Sequence, residues 1–193
     1  MANIDAPFGM LPIRYRSGAK YNGACNAYCM LASETDNAAV GDPVILAGAT
    51  NTTTLGTHKA GTLQSVLLSE VDSINQVGVI VGFDFTSTEY TYGVAATDRV
   101  IYVCDDPDLV FEIQTDGANV AADAGLNASF LMTVASTTLG KSQVELDTST
   151  VAVTATLPLR MLQIADKENN DLGANAIWEV MINNHAYRTT LGA

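Results

Sequence analysis

From residue 41 onward the sequence is a series of short apolar runs, each bounded by glycine, aspartate, asparagine or proline. The clearest are GDPVILAG at 41–48, QVGVIVGF at 76–83 and LVFEIQT at 109–115. Runs of this length, rich in β-branched and aromatic residues and closed by turn formers, are typical of β-strands. No alternation of strands with long helical segments separates them. The pattern therefore predicts an all-β fold of roughly eight to ten strands, in a single compact β-barrel or sandwich domain.

Three local patterns refine this prediction. The segment TLQSVLLSEV at 62–71 has apolar residues on one helical face, but it is short and lacks an N-cap, so we expect a strand. A short helical turn is expected over 120–124. Trp178 is the only tryptophan and lies in an alternating segment, which predicts a core position rather than an exposed ligand platform.

The first 35 residues differ from the rest of the chain. They contain Pro7, Pro12 and several glycines and aromatic residues, without a sustained period of two or 3.6. This texture predicts an extended N-terminal arm over 1–35, followed by the β-barrel or sandwich domain over 36–193. A first strand with loops that belongs to the same core fits the pattern equally well.

Length and charge exclude several classes of function. The chain has 193 residues, enough for one well-buried domain, and 9 basic against 21 acidic residues give a net charge of −12. Such a chain is repelled by phosphate, so direct binding to nucleic acid is not expected. No secretory signal and no apolar run of about 20 residues is present, which predicts a soluble protein made in the cytoplasm. Three cysteines, an odd number, indicate free thiols.

The segment Cys104-Asp105-Asp106-Pro107-Asp108 is the strongest candidate for a metal or catalytic site. It lacks the spacing and the glycine of a calcium loop. Proline after Asp106 and aspartates that accept bonds from turn amides are instead what a tight reversal requires. We therefore expect the corner of a hairpin or a short loop, with Cys104 as a small core residue.

Other catalytic and metal-binding arrangements are not visible. Cys25 and Cys29 would lie about 13 Å apart in an extended chain, too far for a disulfide. A zinc site would need a second pair of ligands, but His58 and His185 stand far apart in the sequence. No nucleophile elbow and no phosphate-binding glycine motif occurs. The sequence thus predicts no catalytic, cofactor or metal site and no enzyme.

Several segments resemble one known family. They are ANIDAPFGMLPIRYRSGAKYNG, GDPVIL, VGVIVGF, YVCDDPDLVFEIQTDG and LPLRMLQIADKENNDLGANAIWEVMINNHAYR. Together, and in this order, they look like the structural cement, or decoration, proteins of tailed bacteriophages. The resemblance runs almost from end to end, but 49–62 and 133–150 carry little of it.

This resemblance implies a compact β domain that assembles as a homotrimer. Such a protein is made in the host cytoplasm and becomes part of the virion, on the outer capsid surface. Its partner is the major capsid protein, of the HK97 type, where neighbouring subunits meet. The family has no catalytic residues to transfer. Alternatives are a minor virion protein of the head-tail connector or tail, and a β-barrel module that binds a sugar or small molecule.

The N-terminal segment supplies a hypothesis for the capsid contact. Its prolines and apolar residues would grip the shell, and its two arginines would meet acidic capsid surface. The predicted contact residues are Pro7, Phe8, Leu11, Pro12, Arg14 and Arg16.

Overall fold

A computed structural model describes residues 3–71, 73–84 and 92–188. Within these residues the chain forms strands connected by turns, with a single turn of 3-10 helix at Ala121–Asp123. The strands are β1 (Leu11–Tyr15), β2 (Asn26–Met30), β3 (Pro43–Thr50), β4 (Gln64–Leu68), β5 (Gln76–Phe83), β6 (Arg99–Cys104), β7 (Leu109–Gln114), β8 (Asn127–Leu131), β9 (Glu145–Ala152), β10 (Leu159–Ile164) and β11 (Ile177–Ile182). The predicted all-β fold is confirmed.

Six strands form the first sheet, in the order β1-β7-β11-β10-β8-β9, and all of its pairings are antiparallel. The sheet curls strongly, because a bridge between Thr115 and Leu146 brings the start of β9 alongside the end of β7. Its concave face is lined by large apolar side chains, among them Phe111, Phe130 and Trp178. Curling lets this sheet enclose most of its own core.

The other five strands form a closed barrel, in the order β2-β4-β3-β5-β6. Closure depends on β2, which pairs antiparallel with β6 on one side and parallel with β4 on the other. The barrel interior is filled by buried residues from these strands, including Tyr28, Val44, Val66, Ile80 and Ile101. A closed barrel of five strands is narrow, so side chains fill it without leaving a channel.

The first sheet and the barrel, the two units of the fold, share buried apolar residues along one line of contact, which we call the seam. Val79 of β5 and Cys104 of β6 point out of the barrel and belong to the apolar cluster of the first sheet. Neighbouring Ile80 and Val103 point inward, as the two-residue period of a strand requires. Both strands are therefore apolar on both faces, which explains the nearly continuous apolar run of QVGVIVGF.

The N-terminal chain crosses between the barrel and the first sheet. The Met10 N–H donates to the Gly41 carbonyl at 2.8 Å, and the Met10 side chain is only 1% exposed. Gly9 has φ +74°, and a Cβ there would lie 2.4 Å from the Ser142 Cβ and 2.6 Å from the Gly41 oxygen. Only glycine fits both the backbone conformation and the space at this crossing.

Local predictions had mixed outcomes. The strand in 62–71, the helical turn near 121–123 and the core position of Trp178 are confirmed. The division into an arm over 1–35 and a domain over 36–193 stays a prediction. In the structure, the first of these segments contributes β1 to the first sheet and β2 to the barrel.

We call the segment from Cys104 to Asp108 the acidic corner. The prediction of a hairpin there was wrong, and the structure has the alternative, a short loop. Strand β6 pairs with β2 and β5, whereas β7 pairs with β1 and β11. Both edges of β6 are occupied inside the closed barrel, so β7 cannot pair with it. The loop instead carries the chain from one sheet to the other.

We expect Gly9→Ala to lower the free energy of unfolding by about 3 kcal/mol or more, because it adds a steric clash to backbone strain. Gly18→Ala is the matched control, since Gly18 also has positive φ, +94°, but nothing within 4 Å of an added Cβ. Strain alone should cost that variant about 1–2 kcal/mol. Urea unfolding of both proteins measures the difference, and equal losses would contradict the tight crossing.

Candidate functional site

The acidic corner is a turn held by hydrogen bonds to Asp106. The Asp108 N–H donates to Asp106 Oδ1 at 2.8 Å, and the Leu109 N–H donates to the Asp106 carbonyl at 3.1 Å. The Asp108 carboxylate also forms ion pairs with Arg16 and Arg188. Among the described residues, no group of three or more His, Cys, Asp or Glu side chains could hold a metal ion. Through Asp108, the loop between the sheets is tied to Arg16, which follows β1, and to Arg188, which follows β11.

Asp105 organises a polar cluster at one side of the barrel. Tyr28 donates its hydroxyl proton to Asp105 Oδ2 at 2.6 Å, and the Asn26 amide donates to both carboxylate oxygens at 3.0 Å. The Tyr187 hydroxyl lies 2.6 Å from that of Tyr28 and 3.1 Å from Gln64 Oε1. Because the Tyr28 proton goes to Asp105, the single Tyr187 proton is shared between two acceptors, the Tyr28 oxygen and Gln64 Oε1.

This polar cluster lines a shallow cleft of about 430 Å³. Burial, followed by the hydrogen bond to Asp105, raises the pKa of Tyr28 far above its usual range, so Tyr28 stays a neutral donor. The polar atoms of the cleft largely satisfy one another. A ligand with hydroxyl groups would have to replace these internal bonds.

His185 and the two buried cysteines are poorly suited to catalysis. His185 is 1% exposed, its Nδ1 accepts the Tyr187 N–H at 3.1 Å, and burial lowers its pKa to about 4. All three cysteines are free, as the odd number predicted. Burial raises the pKa of Cys104 to about 12 and also raises that of Cys29. These two thiols therefore stay protonated and unreactive near neutral pH.

A larger cleft, of about 460 Å³, lies beside β4. Its walls come from the loop after β2, the end of β4 and the loop after β8. Glu34 fixes the first wall to the strand, since its Oε2 accepts the Leu68 N–H at 2.9 Å and its Oε1 accepts the Asp36 N–H at 3.1 Å. We call this feature the acidic cleft. Its lining residues are Ser33, Glu34, Thr35, Asp36, Asn37, Asp42, Ile45, Leu67, Leu68, Ser69, Glu70, Val71, Met132, Thr133, Val134 and Ala135.

Asp42 is the one deeply buried carboxylate of the acidic cleft. The residue is 1% exposed, and its Oδ2 accepts the Ala39 N–H at 2.7 Å. Its Oδ1 has no hydrogen bond of normal geometry from the described residues. Burial raises the pKa of Asp42 to about 6, although the Ser142 hydroxyl and the Ala39 N–H both act to lower it. Burial of a carboxylate is energetically costly, and the Ala39 N–H and the Ser142 hydroxyl offset part of that cost.

Four charged side chains meet on the outer face of the first sheet. Glu112 of β7 and Glu179 of β11 are directly opposite each other in the pairing and are largely buried. Arg14 binds Glu179 at 2.6 Å, and Lys167 binds Glu112 at 2.5 Å. Each cation removes the repulsion that two opposed carboxylates would otherwise suffer. Sequence reasoning missed these pairs, although a glutamate inside an apolar strand is a signal that a cation lies nearby.

The predicted capsid-contact residues lie along one continuous segment that leads into and through β1. Leu11 is 47% exposed and the Arg16 side chain is 69% exposed, so both are accessible. Pro7, Phe8, Pro12 and Arg14 are half-buried. The structure therefore leaves part of the predicted set at the surface and engages Arg14 within the protein.

The residues before β1 lie against the first sheet. The Gln114 amide donates to the Ile4 carbonyl at 2.8 Å, and the Ala6 N–H donates to Gln114 Oε1 at 2.9 Å. Asn3 donates to the carbonyls of Asp171 and Ala174, both at 2.8 Å. These long-range bonds hold residues 3–6 on the outer face of the first sheet.

A scan of protein-family models, a search of curated proteins and a search of solved structures found no match to this chain. Among the described residues, no helix has the length and apolar character needed to cross a membrane. The evidence on functional sites therefore comes from the geometry of the protein's own side chains.

We expect Asp42→Asn to change how stability depends on pH. The pKa of Asp42 rises on folding from 3.8 to about 6. The protonated carboxyl thus contributes stability that is present below about pH 4 and is lost as the pH rises through about 6. The asparagine cannot ionise, so the variant should gain up to about 3 kcal/mol relative to wild type between pH 4 and pH 7.

Urea unfolding across this pH range measures the gain, with Asp36→Asn at the exposed rim as the control. New unpaired amide protons in Asp42→Asn shift its stability by the same amount at each pH, so they do not affect the slope. A difference from wild type that stays constant with pH would contradict the burial of a titrating carboxyl.

We expect Tyr28→Phe to lower the free energy of unfolding by about 1–3 kcal/mol, because it removes a charge-assisted hydrogen bond to Asp105 and one of the two acceptors within reach of the Tyr187 hydroxyl. Tyr102→Phe, on β6, is the control and should change stability by less than about 0.5 kcal/mol. Thermal or urea unfolding compares the two, and similar losses would argue against the Tyr28–Asp105 bond as a stabilising contact.

Proposed function

We propose that the protein is a capsid cement, or decoration, protein of a tailed bacteriophage. It would bind the outer surface of the assembled head as a homotrimer and bridge neighbouring HK97-type major capsid subunits. The observation that carries this proposal is the ordered set of segments that resemble the cement family. These segments contain all of β1, β7, β10 and β11, most of β5 and about half of each of β3 and β6, together with the crossing at Gly9.

The architecture supports a bridging role. A protein that holds neighbouring subunits together has to transmit force without deforming. Here a closed barrel and a curled sheet share a buried seam through Val79, Cys104 and Met10. Close-packed interiors of this kind have low compressibility. Two such units joined by a core make a rigid spacer between contact points.

The energetics of bridging follow from linkage. A ligand that binds the assembled lattice, but not its loose subunits, stabilises the lattice by RT ln(1 + [L]/Kd). This amounts to about 2.7 kcal/mol at a hundredfold excess over Kd. A trimer offers three contact patches that share one effective concentration, so each patch can be weak. The stabilisation free energies from many such sites on one shell then sum.

Charge supports a position outside the shell. The net charge of −12 would be repelled by DNA packed at high density. On the exterior, the same charge keeps copies soluble before they dock. Exposed Leu11 and Arg16 supply an apolar and a cationic contact at the edge of the first sheet. The remaining predicted contacts, Pro7, Phe8, Pro12 and Arg14, would support them from the same segment.

A second candidate function rests on the polar cleft beside Asp105. Tyrosine, aspartate, asparagine and glutamine side chains converge there, and Tyr187 is 47% exposed. Such a set suits a small polyhydroxylated ligand such as a sugar. Binding of a sugar by the isolated protein, with loss on Tyr187→Ala, would favour this module over a cement role. A minor connector or tail component is the third candidate and differs in copy number.

The proposed function predicts that the purified protein binds shells of the parent phage that lack it. Gel densitometry of complete particles should give copies in proportion to the major capsid protein. A few copies per particle would indicate a connector or tail component, and absence from the particle would refute a virion role.

The contact residues are tested by Leu11→Asp combined with Arg16→Glu, which should weaken shell binding by about tenfold through loss of an apolar and a cationic contact. The matched control is Leu172→Asp with Lys59→Glu, because Leu172 has the same 47% exposure and lies outside this segment. Cosedimentation with shells measures both. Equal binding by the two double variants would remove β1 from the interface.

A further inference from the structure

Two of the cysteines lie side by side at one end of the pair of strands β2 and β6, although they are far apart in the sequence. The register of this antiparallel pair runs without a bulge to Asn26, which is opposite Val103. Continuing the register by one residue places Cys25 directly opposite Cys104. Opposite residues of an antiparallel pair point to the same face of a sheet. Both thiols therefore lie on the outer face of the barrel.

The surroundings of Tyr21 also place the two thiols together. The Tyr21 ring packs against the apolar cluster that contains Cys104, and its hydroxyl donates to the Ala24 carbonyl at 3.0 Å, next to Cys25. Burial first, and then the electrostatic influence of Cys104 and Cys25, raises the pKa of Tyr21 to about 12. Cys25 also adds to the rise in the pKa of Cys104, of which burial is the main cause. The two cysteines are thus within electrostatic reach of each other.

The spacing of an opposite pair fits a disulfide. Such residues have Cα atoms about 4.5 or 5.5 Å apart, depending on the hydrogen-bond pattern. Disulfides join Cα atoms about 4.4–6.8 Å apart, so either pattern lies in range. In the reduced protein, Cys104 Sγ donates to the Val79 carbonyl at 3.3 Å. Rotation of the Cys104 side chain toward Cys25 exchanges this weak bond for a covalent one.

Among the residues that the structure describes, Cys29 has no cysteine opposite it. Its neighbours in the pairing are Val100 of β6 and Ser65 of β4. Its Sγ donates to the Leu63 carbonyl at 3.6 Å, and the residue is buried, whereas Cys25 is exposed. An accessible thiol beside a buried one is therefore a feature of Cys25 with Cys104.

We propose that Cys25 and Cys104 form a disulfide when the protein meets a small-molecule disulfide such as oxidised glutathione. The Cys25 thiolate attacks one sulfur of the oxidant, which forms a mixed disulfide and releases one glutathione thiolate. Cys104 then gives up its proton to the solvent and attacks the Cys25 sulfur, and the second glutathione thiolate leaves. Both thiolates take up protons, so two protein thiols are oxidised while one glutathione disulfide is reduced to two thiols.

The order of the two steps follows from burial. Cys104 is 0% exposed and its pKa is raised to about 12, so it does not react with an oxidant in solution. Cys25 reacts first because it is exposed. Once Cys25 carries glutathione, the second step takes place within one molecule, where the high effective concentration compensates for the small thiolate fraction of Cys104.

The disulfide locks the barrel, a consequence that does not depend on the function proposed above. All five barrel strands lie consecutively in the sequence, from the start of β2 to the end of β6. A bond between Cys25 and Cys104 thus joins the two ends of the barrel sequence. Cross-linking so long a loop strongly restricts the unfolded chain, and the native strands are already adjacent.

The test treats the full chain with oxidised glutathione under native conditions. Wild type and Cys29→Ala should lose two hydrogen atoms by intact mass without retaining glutathione, and a non-reducing peptide map should join Cys25 to Cys104. Cys104→Ala should stop with glutathione bound to Cys25. Cys25→Ser, changed at an exposed position, should stay reduced. A wild type that does not react, that stops with bound glutathione, or that forms bonds through Cys29 or only between molecules would overturn the proposal.

Urea unfolding measures the lock. The midpoint of oxidised wild type should rise by about 1 M or more, and dithiothreitol should abolish the rise. Cys25→Ser should unfold like reduced wild type before and after the same treatment. An unchanged midpoint after the bond has formed would contradict a lock on the barrel.

Discussion

The chain crosses between its two units at a point where Gly9, Gly41 and Ser142 are in contact, and much of the architecture depends on that contact. The crossing carries Met10 into the core of the first sheet and sets where β1 can reach β7. It also fixes Gly41, which lies two residues before β3 and next to Asp42. A single steric condition therefore links the N-terminal segment, the barrel and the floor of the acidic cleft.

The buried carboxylates of this protein differ in the groups that stabilise them. Glu112 and Glu179 face each other on adjacent strands, and each is neutralised by a cation that comes from elsewhere in the chain. Asp42 differs, because the donors beside it are the Ala39 N–H and the Ser142 hydroxyl, which carry no charge. Buried carboxylates of this protein are therefore stabilised in two ways, by ion pairs on the first sheet and by neutral donors beside the barrel.

The sequence predicts strands well here, because alternation and turn residues are local properties. Thus β7 and the segment around Trp178 could be recognised from their apolar spacing. The sheet that a strand joins is not a local property of the sequence. VIYVC and LVFEIQT have the pattern of a hairpin, but both edges of β6 pair with other strands, β2 and β5. The pairing of Arg14 with Glu179 and the burial of Asp42 arise from contacts across the whole chain, so local patterns could not predict them.

Closure of the barrel has a consequence for molecules that are crowded together. Its backbone hydrogen bonds are satisfied within one chain, since β2 joins β4 and β6. Such a ladder offers no template on which a strand of a neighbour could add. In a crowd of copies, a strand can therefore pair only with the open edges of the first sheet, β1 and β9, and not with the barrel.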